Sequence, residues 1–72
     1  MIKQIDFYTV TENKKVKISF HLEGKYYRKV GMIKKDYVVE KCYVELINPI
    51  INNRGFNYKY VWDYQIKNHE LL

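Results

Sequence analysis

The sequence predicts a mainly β fold, in which residues 1–72 form one small antiparallel meander that closes into an SH3-like or OB-like barrel. Several short segments alternate apolar and polar residues with a period of two, and turn-forming residues separate them. The chain has 72 residues, which is enough for one small core and no more. Closure into a barrel is expected because it leaves no unpaired strand edge.

Residues 16–22 are the first clearly alternating strand, preceded by a β-rich but less regular stretch over residues 2–10. The side chains predicted to face inward are Val16, Ile18, Phe20 and Leu22. A tight hairpin turn is expected at Glu23-Gly24-Lys25, because glycine readily adopts a positive φ angle. Residues 26–33 form the predicted return strand, in which Gly31 indicates a bulge or a bend.

Residues 37–47 follow a predicted turn at Lys34-Lys35-Asp36 and are compatible with two structures. Three valines, two tyrosines and an isoleucine give the segment high strand propensity, and the strand is the favoured interpretation. The alternative is a helix that Asp36 caps and Asn48-Pro49 ends. That alternative predicts an α+β fold with one helix packed on a curled sheet.

Residues 56–66 carry the longest alternation in the chain. The large side chains at every second position are Phe56, Tyr58, Tyr60, Trp62, Tyr64 and Ile66. They are predicted to share one face of a long final strand and to fill the core, whereas Val61 is the one apolar residue on the opposite face. Asn53-Arg54-Gly55 is the predicted turn before this strand, and the tail over residues 67–72 is expected to fray.

Positive charge is concentrated in one part of the chain. The formal net charge is +5, but residues 14–35 hold eight basic residues and one acidic residue, and the rest of the chain has a net charge of −2. Such clustering is expected of a surface that binds polyanions, although a solvated strand face also carries lysines. Lysine, isoleucine, tyrosine and asparagine make up 33 residues and have AT-rich codons, so codon bias explains part of the enrichment.

The sequence lacks the usual groupings of catalytic residues, so no enzymatic activity, cofactor or metal is expected. Ser19 has no sequence-placed base, and His21 and His69 lie on a predicted outer face and in the tail. Cys42 lies in an apolar segment, which is typical of an inert thiol, and a lone cysteine fits a reducing compartment. With no apolar leader or long apolar segment, the protein is expected to be cytoplasmic, without a membrane partner.

The favoured function is a non-catalytic binding domain that contacts nucleic acid or a nucleoprotein through a basic and aromatic surface. The segment over residues 25–29 interleaves cations with aromatic rings, and single-stranded nucleic-acid binders use cations for phosphates and rings for bases. The candidate binding residues are Lys14, Lys15, Lys25, Tyr26, Tyr27, Arg28, Lys29, Lys34, Lys35, Arg54 and Tyr64.

The alternative function is a small protein inhibitor or adaptor that binds a host protein. The small size, the AT-rich composition and the missing catalytic groups are typical of phage or mobile-element proteins directed against host defences such as CRISPR nucleases. Its contact would be built on exposed aromatic side chains. A homodimer formed through an edge strand is also compatible with the sequence.

Overall fold

The computed structural model describes residues 5–72, which form one antiparallel sheet of five strands in the order β4-β3-β2-β1-β5. The strands are β1 Lys15–Leu22, β2 Lys25–Asp36, β3 Lys41–Ile51, β4 Asn57–Trp62 and β5 Ile66–Leu71. A single turn of 3-10 helix, Asp63–Gln65, connects β4 to β5. The predicted mainly β antiparallel fold is confirmed. The sheet is open, with β4 and β5 at its two edges.

The hairpin of β1 and β2 follows the predicted pattern. Val16, Ile18 and Phe20 are buried, and their polar neighbour Lys17 is exposed. Glu23 and Gly24 both have positive φ angles, 51° and 80°, which matches a two-residue hairpin turn that follows the right-handed twist of the strands.

Gly31 lies where β2 changes partners. Residues 25–32 of β2 pair with β1 and residues 31–36 pair with β3, so the two ladders share only Gly31 and Met32. The register runs without a shift through Gly31 in both ladders, so the predicted bulge there is wrong. A Cβ atom at Gly31 would lie 2.5 Å from both the Glu45 carbonyl oxygen and Val44 Cγ1. Glycine is therefore required by the close approach of β3.

The turn predicted at residues 34–36 lies further along the chain, at residues 37–40. Lys34 and Lys35 belong to β2 instead, because pairing with β3 extends that strand to Asp36. The Asp36 carboxylate accepts a hydrogen bond from the Val38 amide at 3.0 Å, and this local bond stabilises the turn.

The strand interpretation of residues 37–47 is correct from Lys41 onward, and the helical alternative is wrong. β3 continues to Ile51, beyond the predicted segment, which ended at residue 47. Its pairing with β4 shifts register between Glu45 and Ile50, a stretch that contains a proline unable to donate to the ladder.

The predicted aromatic strand is broken, and of the six residues assigned to the core only Ile66 is buried, while Tyr58 packs against the core from its edge. β4 ends at Trp62, where the Gln65 side chain accepts a hydrogen bond from the Trp62 amide at 2.9 Å. Val61, opposite Val44, is the buried residue at 4% exposure, whereas Tyr60 is 52% exposed. The interior is already filled by aliphatic side chains of β1, β2 and β3. The rings of Tyr60 and Trp62 therefore lie on the other face of the edge strand, beside Tyr43.

The residues expected to fray form β5 instead. Ile66–Leu71 pairs antiparallel with β1, and the register shifts by one residue between Ser19 and Phe20. Only the three residues of the 3-10 helix separate β4 from β5, so the sheet curls enough to bring these two edge strands near each other.

The core consists of aliphatic side chains, one phenylalanine and one cysteine, and most of them come from the three central strands. Its members are Ile5, Val16, Ile18, Phe20, Ile33, Cys42, Val44, Leu46, Ile50, Val61 and Ile66. Residues 5–10 form turns instead of a strand, and the rest of the predicted 2–10 segment lies outside the described residues. Across residues 5–72 no helix has the length and apolar character needed to cross a bilayer.

Removal of residues 67–72 is expected to unfold the protein, because it deletes most of β5 and leaves the β1 edge unpaired. A domain of this size has a stability of about 5 kcal/mol, and each lost ladder hydrogen bond contributes about 1 kcal/mol. Far-UV circular dichroism and urea titration would measure the effect. Removal of Leu72 alone, whose amide donates to the Lys15 carbonyl at 3.1 Å, should cost only about 1 kcal/mol. An unchanged urea midpoint after the longer deletion would contradict the role of β5.

Candidate functional site

The two faces of the sheet differ in chemistry. One face covers the core, and the other, here called the outer face, carries polar and aromatic side chains. Residues directly opposite each other on paired strands share a face. By this register the outer face of β1 and β2 carries Lys15, Lys17, Ser19, His21, Tyr26, Arg28, Val30, Met32 and Lys34.

A groove of about 290 Å³ lies on the outer face where β2, β1 and β5 run side by side. Ser19 is central to it, because Ser19 lies opposite Arg28 on β2 and opposite Asn68 on β5. The residues that line this groove, here called the Tyr26 groove, are Lys17, Ile18, Ser19, Tyr26, Arg28, Asn68, His69 and Glu70.

Tyr26 presents an exposed ring between two cations. The side chain is 46% exposed. Arg28 Cζ lies 6.0 Å from the ring centroid and Lys67 Nζ lies 5.7 Å from it, at the outer limit of a cation–π contact. The His21 ring packs beside the same tyrosine, with 5.0 Å between centroids. The arrangement places an aromatic surface and two positive charges within reach of one ligand.

The Ser19 hydroxyl is buried beneath this ring. Ser19 is 7% exposed, and among the described residues its Oγ atom has no partner at full hydrogen-bond geometry. Its looser contact with the Tyr26 hydroxyl still lowers the pKa of Tyr26, and the Arg28 guanidinium lowers that pKa further. Both groups stabilise the phenolate. A buried hydroxyl without a firm partner can serve a group that enters the groove.

The groove is electrically asymmetric. Lys17 and Glu70 face each other across the β1–β5 pair, so their charges offset one another. Arg28 and Lys67 lie toward Tyr26, away from that pair. An anionic group is therefore favoured at the Tyr26 end of the groove and disfavoured beside Glu70.

The residues predicted as binding sites lie on different parts of the molecule. The outer face holds Lys15, Tyr26, Arg28 and Lys34. The face that covers the core holds Lys25, Tyr27, Lys29 and Lys35, by the register of β2. Lys14 precedes β1, Arg54 lies in the β3–β4 turn and Tyr64 lies in the 3-10 helix.

Several of these residues contact the protein itself. Tyr27 stacks on Phe20 with 5.7 Å between ring centroids and packs against the core. Lys35 Nζ lies 5.3 Å from the centroid of the Phe7 ring, and Lys34 Nζ donates a hydrogen bond to the Asn13 side chain.

Sequence reasoning missed Lys17, Lys67 and Asn68 as parts of this site. The alternation of β1 already placed Lys17 on the outer face, so that residue had a usable signal. No sequence signal identified Lys67 and Asn68, because their segment resembles a polar tail and becomes a strand only by pairing with β1.

A second aromatic group lies on the outer face of β3 and β4. The Tyr43 ring contacts Tyr60 and Trp62, with centroid separations of 5.5 and 5.3 Å. Lys34 is directly opposite Tyr43 on β2. These rings are partly exposed and contact one another, so they form a packed cluster instead of a separate groove.

The described residues offer little reactive chemistry. Burial raises the pKa of the Cys42 thiol, which disfavours the nucleophilic thiolate. Within residues 5–72 no group of three or more His, Cys, Asp or Glu side chains is placed to hold a metal ion.

Comparison with known proteins gives no match: no family model, no curated protein and no solved structure is similar to this chain.

Tyr26 is expected to titrate at lower pH than an ordinary tyrosine, because Ser19 and Arg28 stabilise its phenolate. Replacing Arg28 by glutamine should move the pKa of Tyr26 upward, toward the usual value. NMR titration of ring-labelled tyrosines would follow each residue. Tyr8 is the internal control, because a hydrogen bond to Glu40 raises the pKa of Tyr8 and Arg28→Gln should leave it unchanged. A Tyr26 pKa at or above the ordinary value would contradict this geometry.

Proposed function

We propose that this protein is a non-catalytic domain that binds nucleic acid, alone or within a nucleoprotein, with the Tyr26 groove as the main contact. The observation that carries the proposal is the exposed Tyr26 ring, flanked by Arg28 and Lys67 at the rim of a groove. Cations that neutralise phosphates, together with rings that accept bases, are the two requirements for nucleic-acid binding without deep pockets.

The charge distribution supports the same proposal. Lys15 adds a positive charge further along the outer face of β1, and residues 14–35 carry a net charge of +7. A basic surface of this kind attracts polyanions over a distance and speeds their association. Codon bias raises the number of lysines in the whole chain, but it does not concentrate them between residues 14 and 35.

We also infer that the open sheet curls toward an SH3-like or OB-like barrel, in a cytoplasmic protein. Glu23, in the β1–β2 turn, accepts hydrogen bonds from the Tyr58 hydroxyl at 2.8 Å and the Asn52 amide at 3.3 Å. These contacts bring the far end of the β1–β2 hairpin to β4. A gap of about 80 Å³ between the end of β1 and β4 is the seam that closure would seal.

Reversal of two charges at the groove is expected to weaken nucleic-acid binding. In the variant Arg28→Glu with Lys67→Glu, affinity for a labelled oligonucleotide should fall at least about tenfold at low salt. The slope of log affinity against log salt should shrink by about one for each lost phosphate contact. Fluorescence anisotropy across a salt series would measure both.

The control is Lys41→Glu with Lys59→Glu, which makes the same charge change on exposed residues of β3 and β4. A charge-only effect would weaken binding equally in both variants, and that result would remove the groove from the proposal. Failure of the unaltered protein to bind any oligonucleotide at low salt would reject the proposed function.

A second candidate function is a small inhibitor or adaptor of the kind encoded by phages or mobile elements, and the β2–β3 turn favours it. Tyr37, Val38 and Val39 form an apolar tip, and Val38 is 92% exposed. The tip is held in place, because the Tyr37 hydroxyl donates to Glu12 at 2.6 Å and the Tyr8 hydroxyl donates to Glu40. A fixed apolar tip is typical of a contact with another protein.

Replacing Val38 by serine is expected to abolish capture of a host protein if this second function holds, while leaving the fold unchanged. Affinity capture from nuclease-treated host lysate, followed by mass spectrometry, would compare the variant with the unaltered protein. The matched control is Ile51→Ser, another exposed apolar residue in a different place. Capture that disappears with nuclease treatment would count against an inhibitor and for nucleic acid.

A further inference from the structure

The size of the Tyr26 groove limits what can enter it. At about 290 Å³ it lies at the lower end of ligand-binding pockets, which suits a single nucleotide unit. A duplex presents its phosphates on a wide, stiff cylinder and keeps its bases inside, so it can touch only the rim. An unpaired nucleotide is small and flexible enough to reach the floor of the groove.

The Tyr26 ring also distinguishes paired from unpaired bases. Every base inside a duplex is already stacked on its neighbours, so its faces are covered. An unpaired base has a free face, and stacking on an aromatic side chain is largely independent of base identity. Arg28 and Lys67 lie at the outer limit of cation–π distance, so a base can displace one of them at little cost.

The remaining groups of the groove suit the polar edge of a nucleotide. The buried Ser19 hydroxyl lines the groove and has no partner at full hydrogen-bond geometry among the described residues. Asn68 offers both a donor and an acceptor, and Glu70 offers an acceptor for an amino or hydroxyl group at the end away from the phosphate. The pairing edges of the bases in a duplex are already engaged with each other, so a duplex cannot offer them to these three groups.

We propose that the Tyr26 groove makes this protein selective for single-stranded nucleic acid over double-stranded nucleic acid. One unpaired nucleotide occupies the groove, its base stacks on Tyr26, and its phosphate lies between Arg28 and Lys67. This inference rests on the proposed function and adds the class of ligand to it.

The test compares one labelled 12-nucleotide single strand with the 12-base-pair duplex of the same sequence, by fluorescence anisotropy at low and moderate salt. The unaltered protein should bind the single strand about tenfold or more tightly than the duplex. Tyr26→Leu should lower affinity for the single strand about tenfold and leave affinity for the duplex unchanged, because only the stacked base is lost.

Two further variants separate stacking from other effects. Tyr26→Phe keeps the ring and should keep the preference for the single strand. Tyr60→Leu removes an exposed tyrosine from β4, outside the groove, and should change neither affinity. Circular dichroism should show that all three variants are folded. The comparison of the single strand with the duplex in the unaltered protein does not depend on any variant.

The outcomes distinguish this inference from the proposed function. Equal affinity for the single strand and the duplex would overturn single-strand selectivity and leave nucleic-acid binding in place. The same holds if Tyr26→Leu lowers the affinity for the two ligands equally. No binding to either form, even at low salt, would reject the proposed function itself. Loss of single-strand binding with Tyr60→Leu but not with Tyr26→Leu would place the site at the β3–β4 aromatic cluster and overturn the groove.

Discussion

The close approach of β3 to the backbone at Gly31 is the constraint on which the rest of the fold depends. β2 pairs with β1 before this residue and with β3 after it, so one long strand connects the two halves of the sheet. Any side chain at this position would collide with the Glu45 carbonyl and with Val44. Without that approach the halves would separate, and the aliphatic core between them would be exposed to water.

The candidate site follows from this arrangement, because its components come from the β1–β2 hairpin and from β5, which is distant from the hairpin in sequence. β2 supplies Tyr26 and Arg28, β1 supplies Ser19, and β5 supplies Lys67 and Asn68. The shift in register between β1 and β5 occurs beside Ser19. A shift of this kind re-aims side chains, and here a cation from β5 lies over a ring from β2.

Much of the fold was predictable because local signals and the final structure agreed. Alternation over residues 16–22 and positive φ at Gly24 identify the first hairpin, and both depend only on neighbouring residues. The candidate site was predictable in part, since Tyr26 and Arg28 alternate onto one face of a strand. The contribution of Lys67 was not predictable, because its position depends on pairing with a strand almost fifty residues earlier.

The sequence by itself determined the strand-rich class, the first hairpin and the concentration of positive charge between residues 14 and 35. The tertiary structure alone decided which face of β4 is buried and where that strand ends. Alternation shows that the two faces of a strand differ, but the surface against which the strand packs determines which face is buried. Here the space opposite β4 accommodates Val61, and the chain turns at Asp63 so that its last strand can pair with β1.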